Sequence, residues 1–482
     1  MPDFYGVRVT EKKTSVTAPI TAQTATMAFG TAPAHQTGGK ANEIVLAYTY
    51  AEAVEALGWS DDWEKYTLCE VIYSHFKLYG VAPLLLVNVL DANAHKGERV
   101  TKSIALADGQ MKITGDAIPA TITVTNGKTG EELVTYVSGT DYDVFFEDGA
   151  CIIEVLPGGA LASEAAASVS WQPVSFAAAD MTNAVIGGYS VATGETTGIE
   201  LADQAFFRTK ILPDLLIAPG FSQLSAVAAV LSAKAKTLSV VFRSFALCDL
   251  DTASATGYQA AAAAKAGSGS FRNVKERMCW PMLKLDGKKF HLSTSLAGLM
   301  SYLSAADGGI PSEPASNKNL QADGAILADG TEVALGLTEA NFLRGQGITT
   351  ALNFINGFTA WGEYCACAPG DSDPKDLYCN VARMVNYIAN TVVLTFWNRI
   401  DEKMTPRLAA SVTDMVNIWL NGLASSEHLL GGRCELLAEE NPTADLLAGI
   451  VRPHIYIGVP GPVQQIDFIV EYDTAYVQNI LG

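Results

Sequence analysis

Apolar and polar positions alternate at both ends of this chain. Near the start runs Phe4-Tyr5-Gly6-Val7-Arg8-Val9-Thr10, and near the finish Gln465-Ile466-Asp467-Phe468-Ile469-Val470-Glu471-Tyr472. A period of two is the pattern of a β-strand, so both ends read as strands in need of a partner. Two readings stay open here. One is that the runs complete the chain's own sheet; the other is that they add strands to a neighbouring subunit, where main-chain hydrogen bonds supply the affinity.

Between the ends the period changes repeatedly. Thr24–Gly30 and Glu43–Ala47 predict strands, Ala51–Gly58 a short helix stopped by glycine, and Tyr66–Tyr79 a helix with Leu68, Val71, Ile72, Phe76 and Tyr79 on one face. Pro83–Val89 is almost continuously apolar, as in a strand covered on both faces. Strand, helix, strand at these lengths predicts an α/β core. Short alternating runs then follow between Asn-Gly, Ser-Gly, Asp-Gly and Gly-Gly turns: Ala120–Gly127, Glu132–Val137, Tyr142–Phe146, Cys151–Leu156 and Ser168–Trp171. They predict a small inserted β-sandwich.

From Asp214 the α/β pattern returns. Leu215–Gly220 predicts a strand, Ser222–Ala235 a helix capped by Ser222, and Ser239–Phe245 a further strand. Thr252–Ser270, rich in Ala, Gly and Ser, reads as a flexible surface segment or a weak helix. The last third is helical from about Arg383 to Leu423. Met384, Tyr387, Ile388, Val392 and Phe396 line one face, and Val412, Met415, Val416, Trp419 and Leu420 another.

Composition narrows the function. A chain of 482 residues, 49% hydrophobic and 17% charged, can bury a large core in more than one domain. With 32 Lys and Arg against 51 Asp and Glu, the net charge of −19 disfavours nucleic acid as a partner. No apolar run reaches the roughly 18 residues of a membrane helix, and Met1-Pro2-Asp3-Phe4 does not open a signal peptide. The expectation is a chain made in the cytosol and not inserted in a membrane.

The search for chemistry yields no convincing site. Eight cysteines are too few for a disulfide scaffold. Cys365, Cys367 and Cys379 could in principle hold a metal, but lack the paired spacing and histidines of a metal site. Gly127-Lys128-Thr129 has Ile122 where a phosphate loop requires Gly, and Gly345-x-Gly347 meets Thr350 where a dinucleotide loop requires Gly or Ala. No Gly-x-Ser-x-Gly elbow occurs. The histidines His35, His75, His95, His291, His428 and His454 are scattered. The pairs Asp61-Asp62, Glu131-Glu132 and Glu439-Glu440 are adjacent in sequence, so their side chains diverge. We expect no catalytic residue, cofactor or metal.

Several segments, taken in order, resemble the contractile tail sheath proteins of phages, phage-tail-like bacteriocins and related injection systems. They are Tyr5-Gly6-Val7-x-Val9, Phe29-Gly30-Thr31-Ala32-Pro33, Leu212–Gly220, Cys279-Trp280-Pro281, Ser293–Leu299, Pro311–Lys318, Gly347-Ile348-Thr349-Thr350, Phe358–Gly362, Asn441-Pro442-Thr443 and Pro460–Ile466. Where sheaths commonly continue Trp-Gly with Arg-Thr, this chain has Glu363-Tyr364 after Trp361-Gly362.

The resemblance implies a mixed-sheet α/β multidomain (α+β) chain: an N-terminal arm at 1–22, a core at 23–107 and 177–345, the β-module at 108–176 facing outward, a helix-rich C-terminal domain at 346–464 facing a tube, and an arm strand at 465–482. It implies a structural subunit, not an enzyme. Copies would stack as hexameric rings around an inner tail tube protein, with baseplate and terminator proteins at the ends. The subunit would contract from a metastable extended state in a virion or tail-like particle assembled in the bacterial cytoplasm. Phe4, Tyr5, Val7 and Val9, with Ile466, Phe468, Val470 and Tyr472, would make the arm contacts between subunits. Arg383, Arg399, Lys403 and Arg407 are candidate tube contacts, as basic residues in an acidic protein. The competing readings are a soluble α/β enzyme and a surface adhesin using the β-module.

Overall fold

A computed structural model describes residues 20–21, 23–147, 149–355, 357–474 and 476. The chain is a mixed α/β protein. It begins with β1 (Thr24–Gly30), β2 (Ile44–Ala47), helices α1 (Tyr50–Leu57) and α2 (Thr67–Tyr73), and β3 (Leu84–Asn88). Thr49 caps α1 by accepting the Glu52 N–H, the role its hydroxyl suits. The expected helix through Tyr79 is α-helical only to Tyr73, then widens into a π-turn over Ser74–Leu78.

Seven short strands then build the β-module: β4 (Val100–Ala105), β5 (Gln110–Thr114), β6 (Thr123–Thr125), β7 (Thr135–Tyr136), β8 (Tyr142–Glu147), β9 (Ala150–Val155) and β10 (Ala166–Trp171). They form two sheets, ordered β4-β10-β6-β7 and β5-β9-β8, closed over a core that includes Met111, Val124, Tyr136, Ile153, Val169 and Trp171. The module begins earlier than the expected 108, because Val100–Ala105 pairs along the whole of β10. It leaves and rejoins the core side by side, with Lys96 bridged to Val174.

The core resumes with α3 (Ala178–Ile186), the small hairpin β11 (Gly188–Tyr189) and β12 (Thr196–Thr197), α4 (Ala202–Thr209), β13 (Leu212–Ile217), α5 (Ser225–Lys236), β14 (Phe245–Asp249), α6 (Tyr258–Gly267) and β15 (Glu276–Cys279). A three-stranded sheet of β16 (Met282–Leu285), β17 (Lys288–Phe290) and β18 (Gly324–Ile326) brackets α7 (Leu292–Ala306). Then come α8 (Leu337–Gly345), β19 (Ile348–Asn353) and β20 (Phe358–Trp361). The main sheet has the order β2-β3-β1-β13-β14-β15-β19-β20. Its six inner strands run parallel, and β2 and β20 close the edges antiparallel.

Strict alternation along these strands divides the core into two layers. Ala28, Leu84, Leu86, Leu215, Ile217 and Leu247 face α2 and α7; Met27, Phe29, Leu85, Val87, Leu216 and Ala246 face α3, α5 and α6. Each fully buried Leu or Phe contributes about 1.5–3 kcal/mol of transfer free energy, which is why the inner strands read as continuous apolar runs.

Several expectations are corrected. Helix α5 starts at Ser225; Ser222 is buried, donating to Asp249 Oδ2 (3.3 Å) and accepting the Asp249 N–H (3.0 Å). The strand expected at Ser239–Phe245 begins only at Phe245, because residues 238–242 form a tight turn in which Ser239 and Val240 are left-handed. The Ala-rich segment is an ordered helix whose small Ala261 and Ala262 pack closely into the core. The boundary expected at 346 cuts the main sheet, since β19 and β20 belong to it.

The remaining chain forms α9 (Pro374–Leu377), the long helices α10 (Cys379–Phe396) and α11 (Pro406–Ser425), the hairpin strands β21 (Gly431–Leu436) and β22 (Pro453–Gly458), and α12 (Thr443–Leu447) between them. The helical stretch read as continuous is broken at residues 397–405, where a 3₁₀ turn over Trp397–Arg399 separates α10 from α11. Met384 and Ile388 meet Val416 and Leu420 in a small separate core.

Candidate assembly surfaces

The C-terminal run departs from β22 and is held at its root. Asn380 Nδ2 donates to the Pro460 carbonyl (3.1 Å), and Arg344 Nη2 to Gln464 Oε1 (2.7 Å). Beyond these ties the run pairs with no strand among the described residues, and it exposes a row of apolar side chains: Ile466 at 69%, Phe468 at 86%, Val470 at 93% and Tyr472 at 77%. Among the described residues, then, 465–472 completes no sheet. Phe4, Tyr5, Val7 and Val9 lie outside the described residues.

Just before the run stands an unfinished sheet. β21 and β22 pair antiparallel as a two-stranded sheet, and such a hairpin is marginal without further strands or a packed layer. Helix α11 provides the layer. Asn417 on that helix takes both peptide groups of Cys434, its Nδ2 donating to the carbonyl at 3.0 Å and its Oδ1 accepting the N–H at 2.7 Å. This side-chain amide stands in for a strand on the β21 side. No strand flanks β22 among the described residues, so β22 is an open edge.

The four basic candidates fall into two groups. Arg383 is buried, with Nη2 2.5 Å from Asp214 Oδ2 and 3.2 Å from Ser304 Oγ, so its charge is used inside the chain and is withdrawn as a surface contact. Arg399, Lys403 and Arg407 lie at or beside the loop between α10 and α11, with Arg399 paired to Glu402 at 3.1 Å. The same loop exposes Trp397 (65%) and Ile400 (67%). Sequence reading passed over these two, although a large apolar pair between helix-ending signals was the available clue.

Several groups able to do chemistry make structural contacts. Cys365 and Cys379 are buried with sulfurs 3.6 Å apart, and Cys367 contacts the Asp376 carbonyl. Among the described residues no three His, Cys, Asp or Glu side chains form a metal cluster. Gly127-Lys128-Thr129 is a hairpin turn, tied by Asn126 Nδ2 to the Glu132 carbonyl. His291 Nδ1 sits 2.8 Å from buried Glu70 Oε2; burial disfavours the imidazolium, but the Glu70 carboxylate outweighs it and pushes the His291 pKa up to about 9. Asp249, its pKa raised by burial, accepts from Ser222 and Ser293.

The ordered sequence segments serve the same packing. Gly298 faces the Tyr79 ring, where an added Cβ would lie 2.4 Å from a ring carbon, and Ser295 Oγ meets the Tyr79 hydroxyl at 2.8 Å. Glu363, at the departure from the sheath pattern, is buried. It receives Arg277 Nη2 at 3.3 Å and the N–H groups of Ser316 and Asn380. Arg277 has no solvent exposure and also donates to Thr349 Oγ1 at 2.7 Å.

No family model matches the chain. In sequence it is 24% identical over 500 residues to the tail sheath protein of Burkholderia phage BcepMu, covering 99% of this chain and 98% of that one. It is 26% identical over 306 residues to a putative prophage major tail sheath protein of Pseudomonas aeruginosa strain UCBPP-PA14, covering 62% and 75%. In fold it matches the sheath of an extracellular contractile injection system, PVC, in its contracted state, with a TM-score of 0.57 over 99% of both chains at 13% identity. These relatives are structural proteins, not enzymes.

Proposed function

We infer that this chain, which belongs with the contractile tail sheath proteins in sequence and fold, is a structural subunit of a contractile phage tail or tail-like particle. Copies assemble around an inner tube as stacked six-membered rings, each joined to its neighbours by strands donated from the chain ends. Particles are built in the cytoplasm of the producing bacterium, with baseplate and terminator proteins closing the stack.

The observation that carries this reading is the exposed apolar strip Ile466–Tyr472 beside an unfinished hairpin. An extended segment laid along β22 of another copy would satisfy both backbones, and Phe468 and Val470 would leave water. Because the donor strip and the acceptor edge are different surfaces, the contact is heterologous and propagates rather than closing on a pair. Strand joints on flexible connections let subunit bodies rotate while remaining linked, which suits contraction from a metastable extended state. Arg399, Lys403 and Arg407, with Trp397 and Ile400 on the same connection, form the surface offered to the tube.

Deleting 466–482 or 1–15 tests the reading. The shortened chains are expected to stay folded and soluble and to form no long tubes in negative-stain electron microscopy. Hollow striated cylinders from the shortened chains would refute the joints.

A further inference from the structure

The turn before β14 carries a feature that neither the core nor the turn needs. Leu238 and Phe242 exchange both backbone hydrogen bonds at 2.8 Å, closing a three-residue loop. Within it Ser239 (φ 49°) and Val240 (φ 71°) are both left-handed. That conformation suits Gly or Asn and strains a β-branched residue. Yet the position holds Val240, which is 87% exposed and buries nothing in this chain. The loop is braced, with the Ser239 N–H donating to Asp203 Oδ1 (2.7 Å) and its hydroxyl to the Asp203 carbonyl (2.5 Å). Val241 and, one turn along α4 from Asp203, Phe207 (64%) are exposed beside it. A strained and rigidly held apolar tip is a feature of interaction surfaces.

A receptor of matching character lies at the far end of the same sheet. A cleft of about 900 Å³ separates the core from the β-module, lined on its apolar part by Val54, Trp59, Ile118, Pro119 and Phe145. The turn precedes β14 and lies at the N-terminal ends of the parallel strands, whereas cleft residues His35–Gly38 and Ala92–Asn93 follow β1 and β3 at their C-terminal ends. The two surfaces therefore cannot meet within one chain.

Their charges are opposite. Arg208, Lys210, Lys236 and Arg243 surround the turn in a chain of net charge −19. The cleft is lined by the carboxylate of Glu147 and, among the described residues, by no Lys or Arg.

We propose that the Val240 turn of one copy seats in the core–module cleft of a second copy, as a head-to-tail contact between subunit bodies distinct from the strand joints of the chain ends. The contact rests on the sheath reading, because a tip and a cleft at opposite ends of one body generate an open stack. Opposite charges orient the encounter, and the apolar tip supplies the burial.

Two variants of the full chain test it. Val240→Gly removes the apolar tip and relieves the left-handed strain, so its melting temperature is expected to equal or exceed that of the parent, while the protein concentration needed for tubes rises about tenfold. A raised melting temperature with tubes at the parental concentration would overturn the contact. In the second variant Val240→Cys is combined with Ala120→Cys in the cleft; the eight native cysteines are all buried, so oxidation of assembled material is expected to give a ladder of linked multimers absent from either single variant. Tubes without a ladder overturn this contact and leave the sheath reading standing. Parent protein that stays monomeric at high concentration overturns both.

Discussion

Replacing Phe468 and Val470 together by Asp separates the two roles an apolar strip can have. In the free chain these side chains are 86% and 93% exposed, so they contribute almost nothing to its own folding, and surface changes of this sort stay within about 0.5 kcal/mol. A subunit of this size is then expected to melt within about 1–2 °C of the parent. If the strip docks along β22 of a neighbour, each side chain leaves water there, at about 1.5–3 kcal/mol apiece. Together they account for about 3–6 kcal/mol of each joint, and the aspartates add a desolvation cost on top. At 1.4 kcal/mol per tenfold, each joint weakens by about 10²–10⁴. Sedimentation velocity across a concentration series reads the loss of assembly, and a thermal melt reads the fold. Tubes at the parental concentration would refute the reasoning, and so would a melting temperature several degrees lower, which would mean that the strip holds its own chain together.

The His291–Glu70 pair gives a pH signature. Because the folded pKa of His291, about 9, exceeds its unfolded value near 6.5, the stabilisation is fully present below pH 6.5 and is lost as pH rises through 9. A shift of that size corresponds to about 3 kcal/mol, so urea midpoints of the parent should fall between pH 6.5 and 9.5, and those of His291→Gln should fall much less. At Gly298, substitution by Ala drives a methyl into the Tyr79 ring and is expected to cost about 1–3 kcal/mol by chemical denaturation. Glu363→Ala strands the buried Arg277 guanidinium and is expected to cost about 3–5 kcal/mol. Adding Arg277→Met should recover part of that loss, and a double variant no better than the single one would refute the pairing.

The parts legible in the sequence are those whose residue pattern is dictated locally. Leu84–Asn88 reads as a doubly covered strand because every side chain in it is buried, and the module's strands read from their turns. What escaped depends on distant partners. Arg383 looks like any helical arginine until Asp214, 169 residues away, takes its charge inside the chain. Ser222 has the chemistry of a cap, but the carboxylate of Asp249 claims its hydroxyl. Asn417 gives no sign in sequence that it replaces a strand for Cys434. The boundary at 346 misled because a strand's membership of a sheet is decided by its neighbour, here β15 for β19. The alternation of the C-terminal run is plain in sequence, but that pattern alone does not separate a strand of the chain's own sheet from one offered to a neighbour; its exposure is seen only in the structure, where no partner among the described residues buries it.

The β-module leaves the core at Lys96 and returns at Val174, two residues bridged to each other, with Gly97 N–H donating to the Pro173 carbonyl at 2.8 Å and Ser175 N–H to the His95 carbonyl at 2.9 Å. The core's strands and helices before and after it are thus stitched together without help from the module's interior. For a chain that must repeat itself many times with constant geometry, such a seam isolates variation: a different domain, or a short turn, can be spliced there and the repeat distance is set as before. In a stack of such subunits the seam would be a socket used once per copy, so that a domain spliced there would recur as often as the subunit does.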